Sequence, residues 1–147
     1  IFAGGNPGQT NTISYISMQT LGDTANFGDL ATGANEGSNM TSNAVRGVYF
    51  CGSPDGNTNT NTIDFITIAT LGNAQDFGDS TYLSRGHMCT SSSTRAVRAG
   101  GYVAPATVNS IDYVQIMTTG NAVDFGDMSS GGRGSGAANS NGHGGLG

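Results

Sequence analysis

The sequence predicts an all-β chain built as a tandem array, and three observations predict it. Three stretches align without gaps: Asn11 to Leu30 (NTISYISMQTLGDTANFGDL), Asn61 to Ser80 (NTIDFITIATLGNAQDFGDS) and Asn109 to Met128 (NSIDYVQIMTTGNAVDFGDM), their starts separated by 50 and then 48 residues. Each begins with a short run of β-branched and aromatic residues and continues into a glycine turn. The composition agrees, because 25 glycines, no Trp and only 10% charged residues suit turns and short strands better than helices, and any core must be thin and regular. Self-similarity at this period marks a repeat architecture, which overrides the single-domain prior set by a length of 147 residues.

The array covers 1–147 as a partial repeat over 1–30, full repeats over 31–79 and 80–128, and a partial repeat over 129–147. Each copy first supplies a short strand ending in a glycine turn, as Val45 to Phe50 before Cys51-Gly52 and Thr94 to Ala99 before Gly100-Gly101, with Gly4-Gly5 in the first copy. The long strand follows. Because side chains alternate, Ile13 and Tyr15 share one face and Ile16 the other; Ile63 and Phe65 oppose Ile66, and Ile111 and Tyr113 oppose Val114. A strand apolar on both faces needs neighbours on both sides, so Ile16, Ile66 and Val114 are expected to be buried equivalently against adjacent repeats. Radially packed sheets meet that need. A turn then leads to Phe27, Phe77 or Phe125, one aromatic held in register and expected to plug the space between repeats. The polar stretches beyond carry Arg85-Gly86-His87 and Arg133-Gly134-Ser135 into the next short strand, so one repeat supplies about four strands.

This order of an Arg-Gly-His strand start, a small-residue strand, Gly100-Gly101-Tyr102, an Asn-Ile-Asp-Tyr type strand and an aromatic about a dozen residues on resembles the Kelch repeat. The resemblance implies four-stranded β-propeller blades with a period of about 50 residues. Phe27, Phe77 and Phe125 stand where Kelch blades usually carry Trp, and Cys51 replaces the first glycine of the doublet in the second copy. The Gly-Asn-Ala-x-Asp-Phe-Gly-Asp wording is similar to Kelch-like repeats of bacteriophage tail or virion proteins and of secreted bacterial proteins. It implies an incomplete propeller, or part of a larger assembly, in a virion or extracellular setting. The partners implied are further copies of the repeat, other virion or extracellular proteins, or a surface glycan.

The sharpest chemical feature is acidic. Asp76 and Asp79, and Asp124 and Asp127, bracket a glycine and offer hard oxygens of the kind calcium takes. Asp and Asn are equally the residues that form turns, and a calcium loop gathers more oxygens, so the structural-turn reading is preferred and calcium kept as the alternative. Cys51 and Cys89 occupy different slots of the repeat and read as two small buried residues, with no metal pair and no disulfide framework. His87 and His143 also occupy different slots and read as surface or turn residues. The Gly132 to Gly136 stretch lacks the Lys-Ser/Thr and helix of a phosphate cradle, and no serine sits in a nucleophile elbow.

All five cations are Arg and the net charge is -5, which opposes nucleic acid as a partner, and no apolar run reaches the roughly 18 residues of a membrane span. The Kelch-like resemblance implies a non-enzymatic structural or adhesion module, with no cofactor expected. A carbohydrate-binding module is the first alternative and a fragment of a Kelch-containing propeller enzyme the second.

Overall fold

A computed structural model describes residues 1–5, 10–33 and 37–140. Every regular element in them is a β-strand. The first sheet holds β1 (Phe2–Ala3), β2 (Thr12–Tyr15) and β3 (Ala25–Asp29) in that order. The second holds β4 (Asn39–Ser42), β5 (Arg46–Phe50), β6 (Thr62–Thr67) and β7 (Gln75–Asp79), again in sequence order. The third is its copy, built from β8 (Met88–Ser91), β9 (Arg95–Ala99), β12 (Ser110–Gln115) and β13 (Val123–Asp127). Between β9 and β12 the chain inserts a small hairpin, β10 (Tyr102–Val103) with β11 (Ala106–Thr107). All pairings are antiparallel, and the described sheets form no closed ring.

One irregularity recurs. The long strand slips register against its outer neighbour between Ile13 and Ser14, between Ile63 and Asp64, and between Ile111 and Asp112. Ile13 faces Gly28 while Ser14 faces Asn26, so Phe27 is the extra residue of a β-bulge, and Phe77 and Phe125 hold the same place. A bulge turns its extra side chain out of strict alternation. Each Phe thereby meets the ring on its own long strand edge-on, with centroids 6.0 Å apart for Tyr15 and Phe27 and 5.8 Å apart for both Phe65 with Phe77 and Tyr113 with Phe125. The glycine after each Phe has φ of +155°, +142° and +133°, where a side chain is strained.

The core is two slabs between three sheets. Ile13, Phe27 and Leu30 of the first sheet pack on Tyr49, Cys51, Ile66 and Ala74 of the second. Ile63, Phe65 and Phe77, with Val48 and Phe50, pack on Ala96, Val114 and Ile116 of the third. Thus Ile63 and Phe65 face the following sheet and Ile66 the preceding one, which is why β6 is apolar on both faces. Burial of each such side chain is worth about 1.5–3 kcal/mol.

The two end copies depart from the expected equivalence. Ile66 and Val114 are each 3% exposed, but Ile16 is 41% exposed. Phe27 and Phe77 are buried and Phe125 is 55% exposed, with Tyr15, Ile111 and Tyr113 half-buried. The cause is position in the stack: Ile16 follows the last residue of β2 and lines an open groove with Ile68 and Leu71, and Phe125 stands on β13, where Gly126 meets no following turn.

Edge strands β4 and β8 lie side by side and are joined by side chains instead of a backbone ladder. Thr41 donates to Ser91 (2.7 Å), the Ser91 hydroxyl donates to the Ser42 carbonyl (2.7 Å), and the Asn39 and Asn43 amides donate to the carbonyls of His87 and Ser93 (3.0 Å each). Nearby, Gly86 N–H donates to Gly37 O and Ser135 N–H to Gly86 O, a backbone stair one repeat per step.

Candidate functional site

The acidic pairs lie on outer edge strands. Asp76, Asp79, Asp124 and Asp127 are all exposed, and no group of three or more His, Cys, Asp or Glu side chains gathers at metal-binding distance among the described residues. At Asp79 the backbone does the bonding: its N–H donates to Asn121 Oδ1 (3.0 Å) and its carbonyl accepts from Ala122 N–H (2.7 Å), while Phe77 O accepts from Gly120 N–H (2.8 Å). One junction earlier the pattern is identical. Asp29 N–H donates to Asn73 Oδ1 (3.0 Å), Asp29 O accepts from Ala74 N–H (2.8 Å) and Phe27 O from Gly72 N–H (2.8 Å). The Gly-Asn-Ala turn of one copy therefore caps the open strand edge at Phe-Gly-Asp of the copy before it, hiding an edge that would otherwise invite foreign pairing.

The glycines fit this approach. A Cβ on Gly28 would strike the carbonyl of Gly72, and one on Gly78 would come within 2.6 Å of Gly120. The repeated Phe-Gly-Asp and Gly-Asn-Ala words are two halves of one joint.

A second site lies inside. Arg98, 1% exposed, grips Asp112 with two bonds, Nε to Oδ1 (3.0 Å) and Nη2 to Oδ2 (2.8 Å), and donates further to Ser84 Oγ (3.3 Å) and Tyr82 O (3.0 Å). Its guanidinium stacks 4.0 Å from the Tyr82 ring centroid. Asp112 Oδ2 also accepts from Thr81 N–H (2.9 Å) and Thr81 Oγ1 (2.8 Å), so both charges are fully engaged, the condition for tolerating a buried pair. In the second sheet Asp64 occupies the register of Asp112 and accepts from Ala31 N–H (3.1 Å) and Thr32 N–H (3.3 Å). There Tyr49 stands where Arg98 would be, and burial holds the Asp64 carboxyl above its ordinary range, those two N–H groups partly opposing it. The Asp of the long strand thus ties each copy to the chain leaving the copy before. Asp64 and Asp112 are linking residues that sequence reasoning missed, although their spacing in NTID and NSID was visible.

His87 corrects the surface reading. It is 1% exposed, packs edge-on to Phe50 and bonds Phe50 O through Nε2 (3.1 Å). Burial pushes it down to about 4 and the Arg98 charge helps, against the Phe50 and Ser84 carbonyls and Asp112, so it is a neutral core histidine. His143 lies outside the described residues. Burial also raises both thiols: Cys51 is buried and Cys89 half-buried, with no disulfide between them. Tyr82 is pushed up to about 12, chiefly by burial. None of these groups is poised as a nucleophile or general base near neutral pH.

Among several open concavities of about 320–420 Å³, one of about 380 Å³ is lined by Gly37, Arg85, Gly86, Tyr102, Thr107, Gly134 and Ser135. The hairpin β10–β11 delivers Tyr102, and Arg85 lies 5.2 Å from its ring centroid while donating to Gly56 O (2.6 Å). An aromatic face beside a guanidinium, among hydroxyls and backbone amides, suits a polar ring such as a sugar. Among the described residues no helix is long and apolar enough to cross a membrane. No protein-family model matches the chain, and no curated protein matches it either.

Proposed function

We propose that the chain is a Kelch-like β-propeller repeat module with a non-enzymatic structural or adhesive role in a virion or extracellular assembly. The observation that carries this reading is the repeated joint: the polar groups that recur between copies hold one sheet to the next. The remaining candidates for chemistry are buried, as Arg98 and Asp112 are, or are neutral, as His87 is. The Kelch resemblance supports the propeller arrangement, since it implies blades whose four antiparallel strands run in sequence order. Antibody raised against the chain and used for gold labelling of particles from the source organism tests the setting. Label on virions or extracellular fibres supports the proposal; label confined to cell interiors overturns it.

A carbohydrate-binding role is favoured by the Tyr102 concavity. Its test is a glycan array probed with the chain and with Tyr102→Ala. Retention of a glycan that the variant loses supports the role, and identical profiles refute it.

A further inference from the structure

The joint between copies occurs twice inside the chain, and its two halves recur unfilled at opposite ends of the stack. On the third sheet, Phe125 is 55% exposed and a Cβ on Gly126 would meet open space, whereas the matching Gly28 and Gly78 are pressed against a following turn. On the first sheet Ile16 is 41% exposed, whereas Ile66 and Val114, which hold its place in the joined copies, are each 3% exposed. One copy along, Ile66 packs with the preceding Phe27 and Val114 with Phe77, while the Gly72 and Gly120 N–H groups bond the preceding Phe-Gly-Asp edges.

We infer that a second copy of this chain docks head to tail on the first, seating its Leu21-Gly22-Asp23 turn on the open edge of β13 and its Ile16 against Phe125. Three arguments select this occupant. The geometry is supplied by the protein itself, because Phe27 with Ile66 and Phe77 with Val114 are already this packing. The polar pattern carries over: Asp23 holds the position of Asn73 and Asn121 and keeps an acceptor oxygen for Asp127 N–H. The first sheet has three strands where the others have four, and the missing register is that of edge strands β4 and β8. Residues 137–140 follow β8 at 49 positions, as β8 follows β4, and the backbone stair leads into them through Ser135. They are irregular here and stand in register to run beside β1 of the second copy.

The contact is heterologous, so each chain offers one donor face and one acceptor face and assembly either closes or grows. It rests on the proposed role as a stacking repeat module, and it is read by mass while glycan capture is read at Tyr102, so either fails alone. Asp23 and Thr24 replace the Asn-Ala of the internal joints, and Asp23 brings a carboxylate near the acidic edge at Asp124 and Asp127. Repulsion there makes the contact tighten with salt.

The test is sedimentation of the 147-residue chain over a concentration series, beside Phe125→Glu, Ile16→Glu and Asp23→Asn. The wild type is expected to reach the mass of two chains or more, and Asp23→Asn to tighten association several-fold. Each glutamate variant alone is expected to sediment as a monomer with unchanged circular dichroism. Mixed one to one, Phe125→Glu and Ile16→Glu each keep one good face and are expected to form a dimer that grows no further. Hydrogen exchange at Asp127 N–H slows only when the contact forms. A wild type that stays monomeric at hundreds of micromolar overturns the inference, as does self-association that survives in Phe125→Glu or Ile16→Glu, or a mixture that remains monomeric.

Discussion

Replacing His87 with Gln is expected to remove most of the loss of stability that the chain suffers in mild acid. His87 is held near 4 in the folded protein against an ordinary value of 6.5, because burial and the Arg98 charge both disfavour the imidazolium. Its folded value is depressed, so between these two values the unfolded chain takes up the proton and the folded chain does not. Stability is therefore undiminished above about pH 6.5, falls as the pH drops, and has lost the whole contribution below about pH 4. At about 1.36 kcal/mol per unit, the gap of roughly 2.5 units corresponds to about 3 kcal/mol, a large share of a small domain's stability. Gln keeps an N–H for Phe50 O and does not titrate, so His87→Gln should lose only about 1 kcal/mol at pH 7.5 through imperfect packing. Asp64 acts with opposite sign, since its raised folded value adds stability as the pH falls; subtracting the variant's curve from the wild type's isolates His87. Urea unfolding followed by far-ultraviolet circular dichroism at half-unit steps from pH 7.5 to 4 measures both slopes. Parallel curves for the two proteins would show that His87 protonates freely in the folded state and would refute the argument.

Four further outcomes follow from the same geometry. Arg98→Met or Asp112→Asn alone should cost about 3–5 kcal/mol by stranding a buried charge or its donors, and the double replacement Arg98→Met with Asp112→Leu should cost less than either, as urea midpoints will show. Gly78→Ala should lower the melting temperature more than Gly126→Ala, because the two share a positive φ but only Gly78 meets a following turn. Ile66→Ala should cost about 2–5 kcal/mol and Ile16→Ala under about 1 kcal/mol in calorimetry of monomeric protein, since only the first fills a slab. Calorimetric titration with calcium should give no saturable heat at micromolar metal; a heat lost on changing Asp76 and Asp79 to Asn would restore calcium as the ligand of the acidic turns.

The strands were legible because their cause is local. Alternation in NTIDFITI places Ile63 and Phe65 opposite Ile66 whatever surrounds them, and the glycine turns end each strand by backbone freedom alone. The bulge was half legible: a Phe fixed in register before Gly-Asp was plain, but that Phe27 is an extra residue depends on pairing with Ile13 and Ser14, which no single strand encodes. The buried centre was illegible for a related reason. Arg98 and Asp112 are cross-strand neighbours, 14 residues apart, and Arg98 breaks the repeat where Tyr49 keeps it apolar, so a search for recurring residues passes over it. His87 went the same way, because nothing in Arg-Gly-His announces that Phe50 of the preceding copy closes over the ring.

What repetition conceals is context. Phe27, Phe77 and Phe125 have the same bulge, the same following glycine and the same aromatic neighbour, yet two are buried and one is 55% exposed. The local code is therefore satisfied in all three copies, and the difference is made wholly by whether another copy follows. The burial of Phe77 beneath the third sheet measures what β13 lacks, a turn carrying Gly and Asn or Asp with an aliphatic side chain behind it. Each copy is both lock and key, so the energetics of the array reside mainly in its joints. A substitution at a joint should weaken two sheets at once, whereas the same substitution at an open end should leave the monomer's stability nearly unchanged and alter only what docks there.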